Sequence, residues 1–124
     1  MQQQKRPDVH KAGIFYTCYM LAKLGFQDIK IDEGDAHINV TKDAETIKFR
    51  VAANTTENAS KFTNLNLKFD YLVILTHVLE EPNVYIMSEK ITYDLIKERG
   101  PDKDGAYWLQ IDEYRKYGKY WDQI

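Results

Sequence analysis

The segment from residue 35 to residue 54 constrains the fold of this chain most strongly, because its apolar and polar residues alternate with the period of a β-strand. Its sequence is DAHINVTKDAETIKFRVAAN. The alternating apolar side chains are Ile38, Val40, Ile47, Phe49 and Val51. A polar turn separates them into two runs, which predicts a hairpin with one apolar face. Lys48, Arg50 and Ala52 share the opposite face of the second strand, and a paired strand can bring Asp35 near them.

The length of 124 residues allows one domain with a buried core and is too short for two. We therefore predict a single domain over residues 1–124, with residues 1–8 frayed. A hydrophobic content of 44% with 29% charged residues is typical of a soluble globular protein, so we expect no membrane association. The first residues, MQQQKRPDVHK, lack the apolar core of a signal peptide, and we predict a cytoplasmic protein.

The charge balance argues against a protein that coats nucleic acid through bulk electrostatics. The formal net charge is −2 and the pI is about 5.9. A local basic patch remains compatible with these values. The single cysteine, Cys18, cannot form an internal disulfide, and the three histidines do not have the spacing of zinc ligands. We expect no cofactor from the composition.

The remaining elements follow from hydrophobic periodicity and from the positions of turn residues. In the first half of the chain we predict a helix over 9–24, a strand over 28–31 and the hairpin. An irregular crossover over 55–69 leads to a strand over 70–78 and its hairpin partner over 83–88. A helix then begins at Ser88 or Thr92 and ends near Gly100, and a strand over 107–111 precedes a final turn or helix. We expect the apolar run 70–78 to form a central strand covered on both faces. The predicted class is α/β (α+β mixed), with a central mixed β-sheet flanked by helices.

The first helix is predicted to be mostly buried. We expect one broad face of the helix to be buried. Its helical spacing places Ala12, Phe15, Tyr16, Tyr19, Met20 and Lys23 on one face, which Ile14, Cys18 and Leu21 broaden. Gly25 then ends the helix, because a glycine adopts the left-handed backbone of a helix cap without strain.

The helix also carries the pattern G-x-F-Y-x-x-x-x-L-x-x-x-G, here Gly13, Phe15, Tyr16, Leu21 and Gly25. With the predicted order of elements, this sequence resembles the restriction-endonuclease-like, or PD-(D/E)XK, superfamily, in particular its small bacterial and phage members. Further matching segments are Gly34-Asp35, IKFRVAAN, FDYLVIL, VYIMSEKI and the aromatic tail with Trp108 and Trp121. The resemblance covers nearly the whole chain and implies a restriction-endonuclease-like fold.

The resemblance also implies a metal site, which this sequence has largely lost. In such families carboxylates bind Mg²⁺, which polarises the scissile phosphate and activates a water, and a lysine assists. The acid of the first helix corresponds to Ile14, the strand aspartate to Asp35, the glutamate to Arg50 and the lysine to Ala52. Only Asp35 keeps the required chemistry. An arginine in place of a metal ligand puts a positive charge where the cation binds, which implies a degenerate active site.

The first functional hypothesis is therefore a catalytically degenerate nuclease-fold module that binds nucleic acid, in particular DNA, or a protein partner. The residues predicted to contact nucleic acid are Lys11, Lys48, Arg50 and Lys61. Alternatively, Asp35 and Arg50 form a structural ion pair that holds the degenerate site together. By strand parity, His37 lies on the same side as Asp35.

Two other hypotheses stay open. One is an active, Mg²⁺-dependent DNA endonuclease with a migrated site, in which Asp35, Glu33 or Glu45 would bind the metal and Lys48 would supply the cation. In that case Asp35, Lys48 and Arg50 form the catalytic region. The other is a homodimeric interaction or regulatory subunit that associates through its aromatic C-terminal tail or an exposed sheet edge.

Overall fold

The fold is taken from a computed structural model that describes residues 6–32, 34, 36–118, 121 and 124. Its elements are α1 (Val9–Lys23), β1 (Gln27–Asp32), β2 (His37–Lys42), β3 (Glu45–Ala53), β4 (Ser60–Phe62), β5 (Tyr71–Thr76), β6 (Asn83–Ser88), α2 (Glu89–Arg99), β7 (Tyr107–Leu109), α3 (Ile111–Tyr114) and a 3₁₀ turn (Arg115–Tyr117). None of the helices in the described part of the chain is long and apolar enough to cross a membrane.

Five strands form the central sheet in the order β1-β2-β3-β5-β6. The pair β3 and β5 is parallel and the other neighbours are antiparallel, so the sheet is mixed, as predicted. The crossover from β3 to β5 carries β4, which pairs with β7 in a separate two-stranded sheet. The sequence prediction missed β4, because three residues are too short for an alternating pattern to be visible.

Two layers cover the central sheet, one on each face. The core under α1 contains Ile14, Leu21, Ile38, Val40, Phe49, Val51, Val73 and Leu75. The core under α2, α3 and the β4–β7 sheet contains Phe62, Leu72, Ile74, Met87, Ile96, Leu109 and Tyr114. Because β5 contributes to both cores, its predicted burial on both faces is confirmed.

The predicted ends of α1 are confirmed within one residue. The carboxylate of Asp8 accepts a hydrogen bond from the backbone N–H of Lys11 at 3.0 Å and caps the first turn. Asp8 is therefore fixed, although residues 1–8 were expected to be frayed. After the helix, Gly25 has a φ of +93° and its N–H donates to the carbonyl of Ala22, which closes the last turn.

The predicted burial of α1 is confirmed for Ile14 and Leu21 and is wrong for Phe15 and Tyr19. Phe15 is 54% exposed and Tyr19 is 60% exposed, whereas the buried side chains lie along the line from Gly13 through Thr17 to Leu21. The physical reason is a close approach between α1 and β3, since a Cβ added at Gly13 would lie 2.3 Å from the Cβ of Ala53. The smallest residue of the helix decides which face packs on the sheet.

The predicted hairpin is confirmed in its boundaries and its apolar face. Ile38 lies opposite Phe49, and both are fully buried. The turn between β2 and β3 consists of Asp43 and Ala44, which both have positive φ values, as in a type I′ turn. The helix α2 begins at the first of its two predicted starts, because the side chain of Ser88 accepts a hydrogen bond from the N–H of Ile91 at 3.2 Å.

Candidate functional site

A cavity of about 270 Å³ lies at the C-terminal end of β3, where β4 and the first turn of α1 approach the sheet. Its lining includes His10, Arg50, Ala52, Asn54, Ser60 and Phe62. None of the described residues that line it is an aspartate or a glutamate. The cavity therefore presents a cationic and polar wall on an otherwise slightly acidic protein.

Arg50 lines this cavity because of the register of β3. Strand alternation directs it to the face opposite Phe49, and its neighbours across the sheet are His37 on β2 and Leu72 on β5. Leu72 belongs to the second core, whereas His37 is polar. Arg50 therefore lies at the border between that core and the polar residues of β2 and β3. Its guanidinium carbon lies 5.0 Å from the centre of the Phe62 ring.

The electrostatic environment of Arg50 favours an anion. The side chain is half-buried, and the loss of hydration lowers the pKa of its guanidinium. Within the described residues, no carboxylate pairs with this guanidinium and no oxygen accepts a hydrogen bond from it. The aromatic contact with Phe62 leaves the guanidinium able to donate hydrogen bonds to oxygen acceptors. Among the described residues, which leave out Glu33 and Asp35, the charge of Arg50 has no counter-ion, and an anionic ligand would stabilise it.

Lys48 shares a face with Arg50, as predicted, but it lies outside the cavity. It pairs with Asn39 on the neighbouring strand. Its backbone exchanges two hydrogen bonds with Asp70, since the N–H of Lys48 donates to the Asp70 carboxylate and the N–H of Asp70 donates to the Lys48 carbonyl, each at 2.8 Å. Asn39, Lys48 and Arg50 thus form a polar row that leads along the sheet to the cavity.

The structure does not bring the predicted Lys61 ammonium group to Arg50. Lys61 contributes to the cavity lining, but strand alternation directs its side chain away from that of Phe62. Its Nζ lies 5.8 Å from the centre of the Trp108 ring, and the indole Nε1 of Trp108 donates to Asp102 at 2.7 Å. Lys61 therefore has an aromatic and acidic environment of its own.

The predicted contact Lys11 is exposed in the first turn of α1 and does not contribute to the described lining, whereas the adjacent His10 does. By sequence, His10 belongs to a group of basic residues that could form a patch, whereas Asn54 and Ser60 have no predicted role. Only their polar character could have indicated a role, because the contacts that bring them together span α1, β3 and β4.

The acidic residues of the proposed migrated site have different outcomes. Asp35 and Glu33 lie outside the described residues. The predicted role of Asp35 as a metal ligand and its predicted ion pair with Arg50 therefore stay predictions. Glu45 is described and lies at the first position of β3, opposite Lys42. Alternation places it on the face opposite Lys48 and at the far end of the strand from the cavity, so a joint site of Glu45 and Lys48 is wrong.

The residues present do not fit the Mg²⁺ ion that the resemblance implies. The two positions that correspond to the metal-binding glutamate and the lysine are Arg50 and Ala52, and both line the cavity. A guanidinium repels a divalent cation, and a methyl group cannot act as the missing ammonium. Among described residues, which leave out 33 and 35, no three His, Cys, Asp or Glu side chains form a group that could hold a metal ion.

A larger cavity, of about 600 Å³, lies at the other end of the sheet between the end of α1, the β2–β3 turn and the tail. Its cation, Lys42, is already engaged, because Nζ donates to the carbonyl of Ile124 at 2.7 Å and lies 5.5 Å from the centre of the Phe26 ring. Trp121 and Ile124 pack against the first core. The described part of the aromatic tail thus packs on the fold, and its role in self-association stays a prediction.

The two edges of the sheet are also protected. On one edge, β6 pairs with the tail through a β-bridge between Tyr85 and Gly118. On the other edge, β1 has an irregular register between Gln27 and Lys30, and Asp28 has a positive φ of 52°. A bulged, charged edge strand disfavours pairing with a second copy.

The chain was compared with known families and proteins. No protein-family model and no curated protein matches the sequence. The crystal structure of MepB is a structural neighbour with 15% sequence identity and a TM-score of 0.38, aligned over 77% of this chain and 76% of the MepB chain.

Proposed function

We propose that this protein is a cytoplasmic, restriction-endonuclease-like module that binds nucleic acid at the Arg50 cavity and does not cleave it. The observation that carries the proposal is the half-buried guanidinium of Arg50, which stacks on Phe62 and has no acidic partner among the described residues. A backbone phosphate supplies the anion that this group needs.

The chemistry of arginine suits phosphate. The planar guanidinium presents parallel N–H groups that match two phosphate oxygens, and such charge-assisted pairs are stronger than neutral hydrogen bonds. The polar row of Asn39, Lys48 and Arg50 offers further contacts along a strand. Because the net charge is −2, we expect affinity to depend on this local site and not on a general attraction to polyanions.

The absence of cleavage follows from the same arginine. A metal ion that activates water would have to approach a fixed positive charge, and Ala52 offers no general acid or cation to the reacting phosphate. The site binds the phosphate that a nuclease would bind, but it lacks the groups that would attack it.

Binding of fluorescein-labelled DNA and RNA oligonucleotides, followed by fluorescence anisotropy at low salt, tests the proposal. We expect Arg50→Gln to weaken binding by about tenfold to a hundredfold, because a charge-assisted hydrogen bond of roughly 1.5–3 kcal/mol is lost. The slope of log K against log salt should also fall by about 1. The matched control is Arg99→Gln, which removes the same charge from an arginine paired with Glu113 at 3.0 Å. Equal losses in both variants, or no binding by the parent, would contradict the proposal.

Cleavage is tested separately with supercoiled plasmid, branched DNA and single-stranded DNA in Mg²⁺ or Mn²⁺. We expect all substrates to stay intact with the parent protein and with Asp35→Ala. Cutting by the parent that disappears in Asp35→Ala would replace this proposal with the alternative of an active nuclease.

A second candidate function is self-association through the outer face of α1, since Phe15 and Tyr19 are both more than half exposed there. Paired aromatic side chains one helical turn apart can pack against a second copy of the same helix. Sedimentation velocity over a range of concentrations tests it, with Phe15→Gln combined with Tyr19→Gln as the variant. A parent protein that stays monomeric at every concentration would remove this candidate.

A further inference from the structure

We propose that the Arg50 cavity selects a phosphomonoester on a nucleotide, as found at the end of a strand or on a free nucleoside monophosphate, over a phosphodiester inside a strand. This inference rests on the proposed function, because it names the substrate class of the same site. Three features of the cavity carry it: its size, the charge of its wall and the layer that closes it.

The size of the cavity limits what can enter. Its volume of about 270 Å³ lies below the roughly 300–1,000 Å³ of most ligand sites in proteins. A space of this size accommodates one small group such as a terminal phosphate. A phosphate inside a strand has nucleotides attached on both sides, whereas a terminal phosphate can enter alone.

The second layer restricts the approach further. β4 contributes Ser60 and Phe62 to the cavity and is held in place by its ladder with β7, in which Phe62 pairs with Tyr107. The ring of Phe62 is 3% exposed and lies over the guanidinium. Phe62 therefore covers one side of the guanidinium, and β4 forms one wall of the cavity. A flexible strand end can approach a group beside such a wall more easily than the interior of a stiff duplex can.

The charge of the wall favours the terminal group. A phosphomonoester carries about −1.5 to −2 charges at neutral pH and three strong acceptor oxygens, more than a phosphodiester has. Arg50 has no acidic partner among the described residues that would weaken its attraction to this added negative charge. The Ser60 hydroxyl and the Asn54 amide are additional donor-bearing groups in the lining that a third oxygen can use.

The test uses the full chain and five probes in fluorescence anisotropy. These are one short single strand with hydroxyl ends, the same strand with a 5′-phosphate, the same strand with a 3′-phosphate, the unphosphorylated duplex, and a nucleoside monophosphate as competitor. We expect one phosphorylated strand to bind roughly tenfold more tightly than the hydroxyl strand, because of its added charge and acceptor oxygen. Competition by the nucleoside monophosphate at similar concentrations identifies the free nucleotide as a ligand, and failure to compete identifies the strand end.

Two variants separate a binding role from a structural one. In Arg50→Gln the preference for the phosphorylated strand should vanish, and in Arg50→Lys it should be reduced, because the charge remains but the two-pronged contact is lost. Arg99→Gln should keep the full preference. Circular dichroism confirms that each variant is folded.

The possible failures are distinguishable. If all strands bind equally and Arg50→Gln weakens every one of them, the selection of a phosphomonoester is refuted while nucleic-acid binding stands. If no strand binds to the parent, both proposals are refuted. A preference that persists unchanged in Arg50→Gln would refute the assignment to this cavity.

Discussion

At the scale of single residues, Gly13 determines how the first helix meets the sheet. Its lack of a side chain allows α1 to approach β3 so closely that an added Cβ would lie 2.3 Å from the Cβ of Ala53 and 3.2 Å from Cδ1 of Leu75. The buried Thr17 supports the same face, because its hydroxyl donates to the Gly13 carbonyl at 2.8 Å. The exposure of Phe15 and Tyr19 is a consequence of this contact.

We expect Gly13→Ala to lower the free energy of unfolding by about 1–3 kcal/mol. Alanine is favoured over glycine within helices by about 1 kcal/mol, but overpacking of a tight contact costs more than this gain. Urea denaturation followed by circular dichroism measures the change. Gly13→Ala combined with Ala53→Gly should recover most of the loss, since it removes the opposing methyl group. A Gly13→Ala variant as stable as the parent would contradict the close-packing argument.

Tyr114 is a second residue whose role depends on burial. It is fully buried, and its hydroxyl donates to the carbonyl of Asn58 at 3.0 Å, which ties the β3–β5 crossover to α3. Burial raises the pKa of Tyr114, and the nearby Glu57 carboxylate adds to this effect. The folded state therefore favours the neutral hydroxyl.

The pH dependence of stability follows from the sign of that shift. Because the pKa is raised in the folded state, the contribution of Tyr114 is complete below the ordinary tyrosine pKa of about 10 and is lost as pH rises through the raised value. We expect Tyr114→Phe to be about 1 kcal/mol less stable than the parent at neutral pH, through loss of the hydrogen bond. The difference should shrink above pH about 10, which thermal denaturation across pH measures. A constant difference at all pH values would contradict this role.

At the scale of elements, the hairpin of β2 and β3 shows how local sequence and tertiary structure combine. Its register follows from the alternating pattern, and its turn of Asp43 and Ala44 has φ values of 50° and 67°. A type I′ turn matches the twist of the two strands, but it requires a left-handed backbone that alanine adopts only at a cost.

We expect Ala44→Gly to stabilise the protein by about 1 kcal/mol, because glycine adopts a positive φ without the steric penalty of a Cβ. The melting temperature measured by calorimetry should rise by a few degrees. The matched control is Ala22→Gly, at an exposed position within α1, which should lower the melting temperature. A lower melting temperature in Ala44→Gly would show that the turn is not strained at this residue.

At the scale of the whole molecule, the role proposed for Arg50 would place binding and stability in opposition. Its half-buried charge lies where the second layer meets the open polar part of the sheet, and its described surroundings supply an aromatic ring but no counter-ion. Such a group is costly to the fold and is useful when an anion binds.

We therefore expect Arg50→Met to raise the free energy of unfolding by about 1 kcal/mol while it abolishes nucleic-acid binding. The methionine fills the same volume over Phe62 without the loss of hydration that a charge suffers. Chemical denaturation and anisotropy on the same preparation measure the two effects. A destabilised Arg50→Met would mean that the contact with Phe62 is a structural interaction and would weaken the binding proposal.

The local elements of this protein can be predicted from its amino-acid sequence. The alternation around Ile38 and Phe49 predicts the hairpin, the apolar run 70–78 predicts a central strand, and capping residues such as Asp8 and Ser88 predict where helices begin. These signals are local, because hydrophobic period and capping act within a few residues. The mixed sheet flanked by helices follows from their order.

The faces of the helices and strands that pack together depend on tertiary contacts. The pairing of β4 with β7 joins Ser60 to Leu109, which are far apart in sequence, and it places Phe62 over Arg50. The close packing of Gly13 similarly chose the buried face of α1 against the aromatic pattern. Such contacts depend on the shape and distance of partners remote along the chain, which periodicity does not encode. The cavity around Arg50 arises from those contacts. The sequence therefore indicates Arg50 as a candidate residue, but it does not indicate which other residues line the cavity.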